Sequence, residues 1–172
     1  MKEVAEIKFA KVHPDAIIPS KRDEDMGFDI YPCFDEDYIV IKPFETKLIP
    51  TGIASSCSSE YGFILRERGS TGSKGIALRA GVLDSGYRGE WFVGLTNTTE
   101  KVLFISKLSE EETYDRHYGD TMPLSFVYPY SKAIAQALVI PVPKIKVEEV
   151  SYDELKAIES ERGTGALGSS NK

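Results

Sequence analysis

Short apolar segments separated by turn residues are the feature that most strongly limits how this chain can fold. The segments are rich in β-branched and aromatic side chains, and they are bounded by glycine, proline, asparagine, aspartate and serine. Runs of this kind are typical of strands in a β-sandwich or barrel. The segments lie at 7–12, 28–31, 38–41, 47–54, 61–65, 90–96, 102–105 and 137–142. We therefore predict an all-β fold.

Helical signals are confined to two places. Residues 73–78 could form one short turn, and Ser151 with Glu154 has the spacing of a capping box that would open a helix through residue 159. The sequence thus predicts one or two very short helices.

The length of 172 residues suits one domain with its own core. We place that domain at 1–161 and interpret residues 162–172, which are rich in glycine, serine and threonine, as a flexible C-terminal arm. The longest apolar run, near 133–142, contains Gln136 and Pro141 and is too short to span a membrane. The N-terminal residues lack a secretory signal, so a cytoplasmic location is expected.

A formal net charge of -6 argues against broad binding to nucleic acid, which requires a positive surface. A phosphorylated small molecule has a different requirement. A few cations and backbone N–H groups focused in one pocket are enough to bind it, and an acidic protein can supply them.

The segment 81–90, Gly-Val-Leu-Asp-Ser-Gly-Tyr-Arg-Gly-Glu, predicts a hairpin that carries one carboxylate, Asp84. The exposed backbone edge of such a hairpin can bond a flat heterocycle, and Tyr87 can pack against a sugar. An ordinary surface hairpin with a turn-forming aspartate is the alternative.

Two further segments, 66–75 and 161–170, are suited to binding anions. Each combines arginine with glycines and hydroxyl side chains, so backbone amides and a guanidinium could meet phosphate oxygens. The second segment lies in the C-terminal arm and could close over a ligand. A plain loop and a disordered tail are the respective alternatives.

Taken in order, five segments resemble the motifs of the trimeric dUTPase family: 26–30, 68–75, 81–90, 132–136 and 162–170. The resemblance implies a dUTPase-like jelly-roll or β-clip domain that assembles as a homotrimer, with each pocket drawn from different subunits. It implies hydrolysis of dUTP to dUMP and pyrophosphate, which limits uracil in DNA and supplies dUMP for thymidylate synthesis.

The resemblance also implies roles for individual residues. Asp84 would activate the attacking water, and Asp29 would reach a triphosphate-bound Mg²⁺ ion through water. Tyr87 would stack on the deoxyribose, while backbone groups of Val82 and Leu83 would pair with uracil. The expected phosphate-binding residues are Arg68, Gly69, Ser70, Gln136, Arg162, Gly168 and Ser169.

Two departures from the family pattern affect these roles. Gly69 stands where the family has serine, so either Ser70 or a backbone N–H would serve instead. Leu167 stands where many members have a phenylalanine that caps the base, and we expect Phe92, or alternatively Trp91, to replace it. A core aromatic is the competing interpretation of Phe92.

The interval between Asp84 and Gln136 is longer than expected for a minimal member of this family. We therefore predict an inserted loop or hairpin at 100–131, which could bind a protein partner. Two other functions stay open. A dCTP deaminase shares the fold, and a regulatory protein could use nucleotide binding to control a partner.

Overall fold

The computed structural model describes residues 5–118 and 123–165. The chain divides into two compact units, Met1–Val142 and Pro143–Lys172. The boundary between the units lies earlier than the start of the arm that we predicted at residue 162.

Strands dominate the first unit, which confirms the all-β prediction. The strands in its described part are β1 (Ile7–Lys11), β2 (Phe28–Ile30), β3 (Tyr38–Ile41), β4 (Thr46–Pro50), β5 (Ile53–Cys57), β6 (Tyr61–Arg66), β7 (Ile76–Arg79), β8 (Val82–Leu83), β9 (Phe92–Asn97), β10 (Val102–Ser106), β11 (Ser125–Pro129) and β12 (Ala135–Pro141). They form four sheets with the orders β2-β12-β6-β8, β4-β9-β7, β11-β10-β3 and β1-β5.

The core lies against the inner faces of these sheets: β9 and β10 are buried along nearly their whole length, and in β6 buried side chains face inward while others are partly exposed. In β6, Phe63 and Leu65 are buried while Ile64 between them is partly exposed. Trp91 is fully buried, and its ring lies 4.8 Å from Phe63 and 5.6 Å from Phe9 between centroids. Aromatic packing thus joins β1 and β6 at Trp91.

The predicted strand at 47–54 is two strands. They meet at Gly52, whose φ of 65° lies in the left-handed region that favours glycine. A Cβ there would lie 2.9 Å from the Cys33 sulfur, so space also requires glycine. The turn between β4 and β5 therefore depends on this residue.

Of the two predicted helices, one is confirmed and one is wrong. Helix α3 (Tyr152–Ala157) in the second unit is capped by Ser151, and the Ser151–Glu154 capping box is formed. Residues 73–78 instead run into β7, and the short helix α1 (Gly69–Gly72) precedes them.

The segment 100–131 is not the loop or hairpin that we predicted. It contains β10, helix α2 (Glu110–Tyr118) and β11, and β10 pairs with β11 in parallel. Parallel neighbours cannot be joined by a tight turn, so a helical crossover connects them. Phe104 of β10 is fully buried against Tyr38 and His117. Both strands belong to a sheet of the fold, and the prediction of a partner at this segment stays a prediction.

Across the described residues, every helix is too short or too polar to cross a lipid bilayer.

Candidate active site

Residues from three separate motifs line one cavity of about 690 Å³, which we call the Asp29–Arg68 cavity. Asp29, Arg68 and Gln136 meet there with the segment 20–27. The sheet register explains the meeting, because Gln136 of β12 lies opposite Asp29 of β2. Directly opposed residues project from the same face of a sheet. Three residues of the predicted phosphate and magnesium sites, Asp29, Arg68 and Gln136, are thus neighbours in one chain.

The guanidinium of Arg68 is oriented on two sides. Its Nε lies 2.9 Å from Asp29 Oδ1, and Nη2 donates to Asp29 Oδ2 at 3.3 Å. Its Nη1 donates to Ser70 Oγ and to the Ala133 carbonyl, both at 3.5 Å. These contacts use four of the five N–H donors, so the one that remains on Nη2 is held in a fixed direction.

The turn of α1 uses most backbone amides of the second motif. The amides of residues 71–75 donate to carbonyls within the same segment, and Thr71 Oγ1 accepts from the Arg68 amide at 3.0 Å. In the described part of the chain, the amides of Gly69 and Ser70 are the ones in this segment without such a bond. An anion nest here is therefore limited to those two residues.

Gln136 is held by a backbone contact and a glycine. Its Nε2 donates to the Glu67 carbonyl at 2.8 Å. A Cβ at position 27 would lie 2.7 Å from Gln136 Oε1 and 3.0 Å from Gln136 Cβ. The absence of a side chain at Gly27 therefore leaves the space that the Gln136 amide occupies. The amide therefore keeps one orientation at the cavity wall.

Glu67 connects this region to β7. Its Oε1 accepts from the Leu78 amide at 2.9 Å, and this hydrogen bond, followed by one from the backbone amide of Glu67 itself, lowers the pKa of the Glu67 carboxyl, with a smaller contribution from Arg66. The carboxyl is therefore ionised at neutral pH. Sequence reasoning gave no role to Glu67, because a lone acid beside an arginine looks like ordinary surface charge.

Asp84 follows β8, and here the predicted hairpin is wrong. Strand β8 pairs with β6, whereas the strand after the turn, β9, pairs with β4 and β7 in another sheet. The turn is closed by the Tyr87 amide, which donates to the Asp84 carbonyl at 3.1 Å. The segment thus links two sheets instead of folding back on itself.

Val82, Leu83 and Asp84 line a second, smaller cavity of about 130 Å³, which we call the Asp84 cavity. Strand β8 is at the edge of its sheet, so one side of its backbone is open to hydrogen bonding by a ligand. Val82 is 74% exposed. The lining residues of the two cavities do not overlap.

The aromatic residues around this turn differ in exposure. Tyr87 keeps 42% of its surface exposed, and its hydroxyl donates to the Glu90 carbonyl at 3.0 Å. Trp91 is fully buried and cannot cap a base, which corrects the alternative that we gave above. Phe92 is 41% exposed and pairs with Pro50 of β4; it lines neither cavity, and its role as a lid stays a prediction.

The remaining predicted residues lie in the second unit or outside the described residues. Arg162 Nε donates to the Gly165 carbonyl at 3.0 Å. Gly168 and Ser169 lie outside the described residues. Within residues 5–118 and 123–165, no three metal-binding side chains of histidine, cysteine, aspartate or glutamate cluster together.

Comparison with known proteins gives consistent matches. The dUTPase family model matches residues 14–109. A deoxyuridine 5'-triphosphate nucleotidohydrolase of Nautilia profundicola is 32% identical over 170 residues, covering 96% of this chain and 99% of the relative. The enzyme of the same name from Clostridioides difficile is 32% identical over 172 residues, covering 95% and 96%.

Two solved structures resemble the fold. The dUTPase of Staphylococcus bacteriophage 80alpha with dUpNHpp has a TM-score of 0.72 at 20% identity and covers 97% of this chain and 99% of its own. A mutant dUTPase of phage phi11 of S. aureus, which reveals how a structural Mg(II) ion is coordinated, has a TM-score of 0.66 at 19% identity. It covers 87% of this chain and 99% of its own.

Proposed function

The chain belongs to the dUTPase family, and we propose that it hydrolyses dUTP to dUMP and pyrophosphate. The observation that carries this proposal is the meeting of Asp29, Arg68 and Gln136, from three motifs, in one cavity. In a cell, the reaction would limit the incorporation of uracil into DNA and supply dUMP for thymidylate synthesis.

The Asp29–Arg68 cavity would bind the triphosphate. Arg68 offers its positive charge and one free N–H on Nη2, and Gly69 and Ser70 offer backbone amides. Gln136 adds a side-chain amide, and Arg162, Gly168 and Ser169 of the C-terminal arm would complete the charge neutralisation. Such contacts act on the charge that spreads over the phosphoryl oxygens in the transition state.

Asp84 would accept the proton of the water that attacks the α-phosphorus. A general base of this kind contributes roughly a hundred- to ten-thousand-fold to a rate. The open backbone edge at Val82 and Leu83 would pair with uracil, and Tyr87 would stack on the deoxyribose. Phe92 would cap the base. Cytosine would leave buried groups unpaired, since it carries a donor where uracil carries an acceptor.

The chemistry of the cavity fits a magnesium ion that arrives on the triphosphate. Magnesium usually keeps several waters and contacts one or two carboxylates plus substrate phosphates. Asp29 offers one such carboxylate at the cavity wall, with its side chain 33% exposed. When bound, the ion would supply electrostatic stabilisation of phosphate charge, and Asp29 would hold its hydration shell.

The separation of the two cavities supports a homotrimeric enzyme. Asp84 and Arg68 line different cavities of one chain, yet one reaction needs both residues. A pocket that takes Arg68 from one subunit and Asp84 from another meets this need. Isolated monomers would then be inactive.

The first test measures pyrophosphate release from each deoxynucleoside triphosphate in the presence of Mg²⁺. We expect dUTP alone to be cleaved and cleavage to disappear with EDTA. Release of ammonia from dCTP would instead identify a deaminase. Binding of dUTP without turnover would favour the regulatory protein.

The second test concerns the shared site. In the proposal Asp84→Asn lacks the general base and Arg68→Gln binds dUTP weakly, so the two variants are unfolded together in equal amounts, refolded, and assayed at a dUTP concentration at which neither variant alone shows turnover. In randomly mixed trimers, on the order of a quarter of the sites would be intact. Such a site takes Arg68 from an Asp84→Asn subunit and Asp84 from an Arg68→Gln subunit. If no activity returns while wild-type protein treated in the same way recovers fully, both residues come from one chain.

A further inference from the structure

We propose that Tyr128, which lies outside the five motifs, is a positioning residue for the phosphate-binding Arg68. The inference rests on the proposed function, because it assigns Arg68 to the triphosphate. Tyr128 itself would touch neither substrate nor metal. Its hydroxyl would fix Ser70 Oγ and the Ala133 carbonyl oxygen, the two acceptors of Arg68 Nη1.

The Tyr128 hydroxyl lies between two of the motifs. The side chain is 1% exposed in β11. Its hydroxyl donates to the Ala133 carbonyl at 2.8 Å and lies 3.2 Å from Ser70 Oγ. Ala133 belongs to the motif that carries Gln136, and Ser70 belongs to the motif that carries Arg68. One buried hydroxyl therefore joins the two phosphate-binding segments.

Counting protons fixes the direction of these hydrogen bonds. A phenol has one proton to donate, and in this structure it goes to the Ala133 carbonyl. The Ser70 hydroxyl must then donate to the Tyr128 oxygen across the 3.2 Å contact. The lone pairs of Ser70 Oγ are left to accept from Arg68 Nη1 at 3.5 Å.

Arg68 is thus held by supports of two kinds. Asp29 holds the Nε and Nη2 edge by charge. Ser70 Oγ and the Ala133 carbonyl hold Nη1, and both of these atoms are bonded to Tyr128. Removing the hydroxyl would free the Ser70 side chain to rotate, so Nη1 would lose the fixed Ser70 acceptor, and the Ala133 carbonyl would lose the donor that helps to orient it.

Gly69 makes such a support more important. A Cβ added at this position would meet no atom within 4 Å, so the residue between Arg68 and Ser70 has little packing to hold it. Glycine also loses more conformational freedom on ordering than other residues. A hydroxyl anchor on Ser70 offsets the freedom that the glycine introduces into the loop.

The test compares Tyr128→Phe with a matched control, Tyr130→Phe. Tyr130 is partly buried in the next turn of chain and packs on Phe34, away from Arg68. For Tyr128→Phe we expect the KM for dUTP to rise roughly two- to tenfold with kcat nearly unchanged, the effect of one lost hydrogen bond in binding. We expect Tyr130→Phe to leave KM unchanged.

A double-mutant cycle with Ser70→Ala tests the coupling directly. Ser70→Ala removes the other partner of the Ser70–Tyr128 hydrogen bond. Each single variant should therefore raise KM by a similar factor, and the double variant should raise it little further. Fully additive increases would overturn the proposal. So would a fall in melting temperature without any change in KM.

A binding measurement separates this inference from the proposed function. The affinity for inorganic tripolyphosphate is measured by calorimetry for wild type and Tyr128→Phe. If wild type does not cleave dUTP, the proposed function fails, but a several-fold weaker affinity in the variant would still support Tyr128. Equal affinities in the two proteins would overturn the positioning role even if dUTP is cleaved.

Discussion

The two cavities differ in how firmly their functional groups are held. In the Asp29–Arg68 cavity, Arg68 contacts a carboxylate, a hydroxyl and a carbonyl, and Gln136 donates to a carbonyl. In the Asp84 cavity, the aspartate follows a strand of two residues at a sheet edge, beside the largely exposed Val82. The side chains of the Asp29–Arg68 cavity are thus fixed by contacts within the chain, whereas the strand edge at the Asp84 cavity is open.

The difference shows which half can be complete in a single chain. Side chains that are already oriented need little rearrangement when an anion enters, so binding loses less free energy to ordering. An open strand edge still has backbone groups to pair, and it is suited to receive a base or a neighbouring subunit. If the contrast is functional, changes in the Asp84 cavity should lower the catalytic rate, and changes in the Asp29–Arg68 cavity should weaken phosphate binding.

The largest expected effect is the loss of turnover in Asp84→Asn. Removing a general base should lower kcat by roughly a hundred- to ten-thousand-fold, while the affinity for inorganic tripolyphosphate stays at the wild-type value. Single-turnover kinetics and calorimetry measure the two quantities. Asp115→Asn on α2 is the control. A large loss of tripolyphosphate affinity in Asp84→Asn would erase the proposed contrast between the cavities.

Arg68→Gln should show the opposite pattern, mainly in binding. A charge-assisted contact contributes about 1.5–3 kcal/mol, so the dissociation constant of tripolyphosphate should rise roughly ten- to a hundredfold. Arg116→Gln on α2 removes an arginine that pairs with Asp37 and should leave binding intact. Unchanged affinity in Arg68→Gln would remove this residue from the phosphate site.

Gly27→Ala should produce a smaller effect of the same kind. The new methyl group would lie 2.7 Å from Gln136 Oε1, so the amide must move away from its place on β12. We expect roughly fivefold weaker tripolyphosphate binding, comparable to one displaced hydrogen bond. Gly86→Ala, where a Cβ meets nothing within 4 Å, is the control for tripolyphosphate binding. Equal effects in the two variants would argue against a role for the Gln136 orientation.

The smallest effect is expected for Glu67→Gln, in stability. The lowered pKa of Glu67 means that its charge stabilises the fold above the ordinary value of 4.5, and this contribution is lost as the pH falls through the lowered folded value. The variant should lose about 1 kcal/mol or less of unfolding free energy near pH 7 and still less near pH 3. Urea unfolding at both pH values measures this. An equal loss at both would contradict the electrostatic origin.

The sequence predicted the strands well where the signal was local. A run of aromatic and β-branched residues between turn signals marked β6, and the capping box marked α3. Single sequence segments could not reveal that Asp29 and Gln136 are partners, because that contact depends on the register between strands far apart in the chain. The family resemblance implied a magnesium role for Asp29 and a phosphate role for Gln136, and the register explains why the two residues lie side by side.

The errors have a common physical cause. The segment 81–90 looks like a hairpin because glycines flank an apolar pair, yet β8 and β9 find their partners in different sheets. The parallel pairing of β10 with β11 was missed because the local sequence does not specify the partner of a strand. Tyr128 was missed for the same reason: its role depends on Ser70, which is distant in sequence and adjacent in space.

The position of Trp91 gives the molecule an optical reporter. It is the chain's one tryptophan, it is fully buried, and its indole Nε1 has no hydrogen-bond partner among the described residues. Its fluorescence therefore comes from a single apolar environment and should shift to longer wavelength when the core is exposed to water. Since Trp91 directly follows Glu90, whose carboxylate accepts from the Gly52 amide at 2.8 Å, emission should also respond to movement of the turn that carries Asp84. Unfolding and ligand-induced motion can thus be followed by light without any added label.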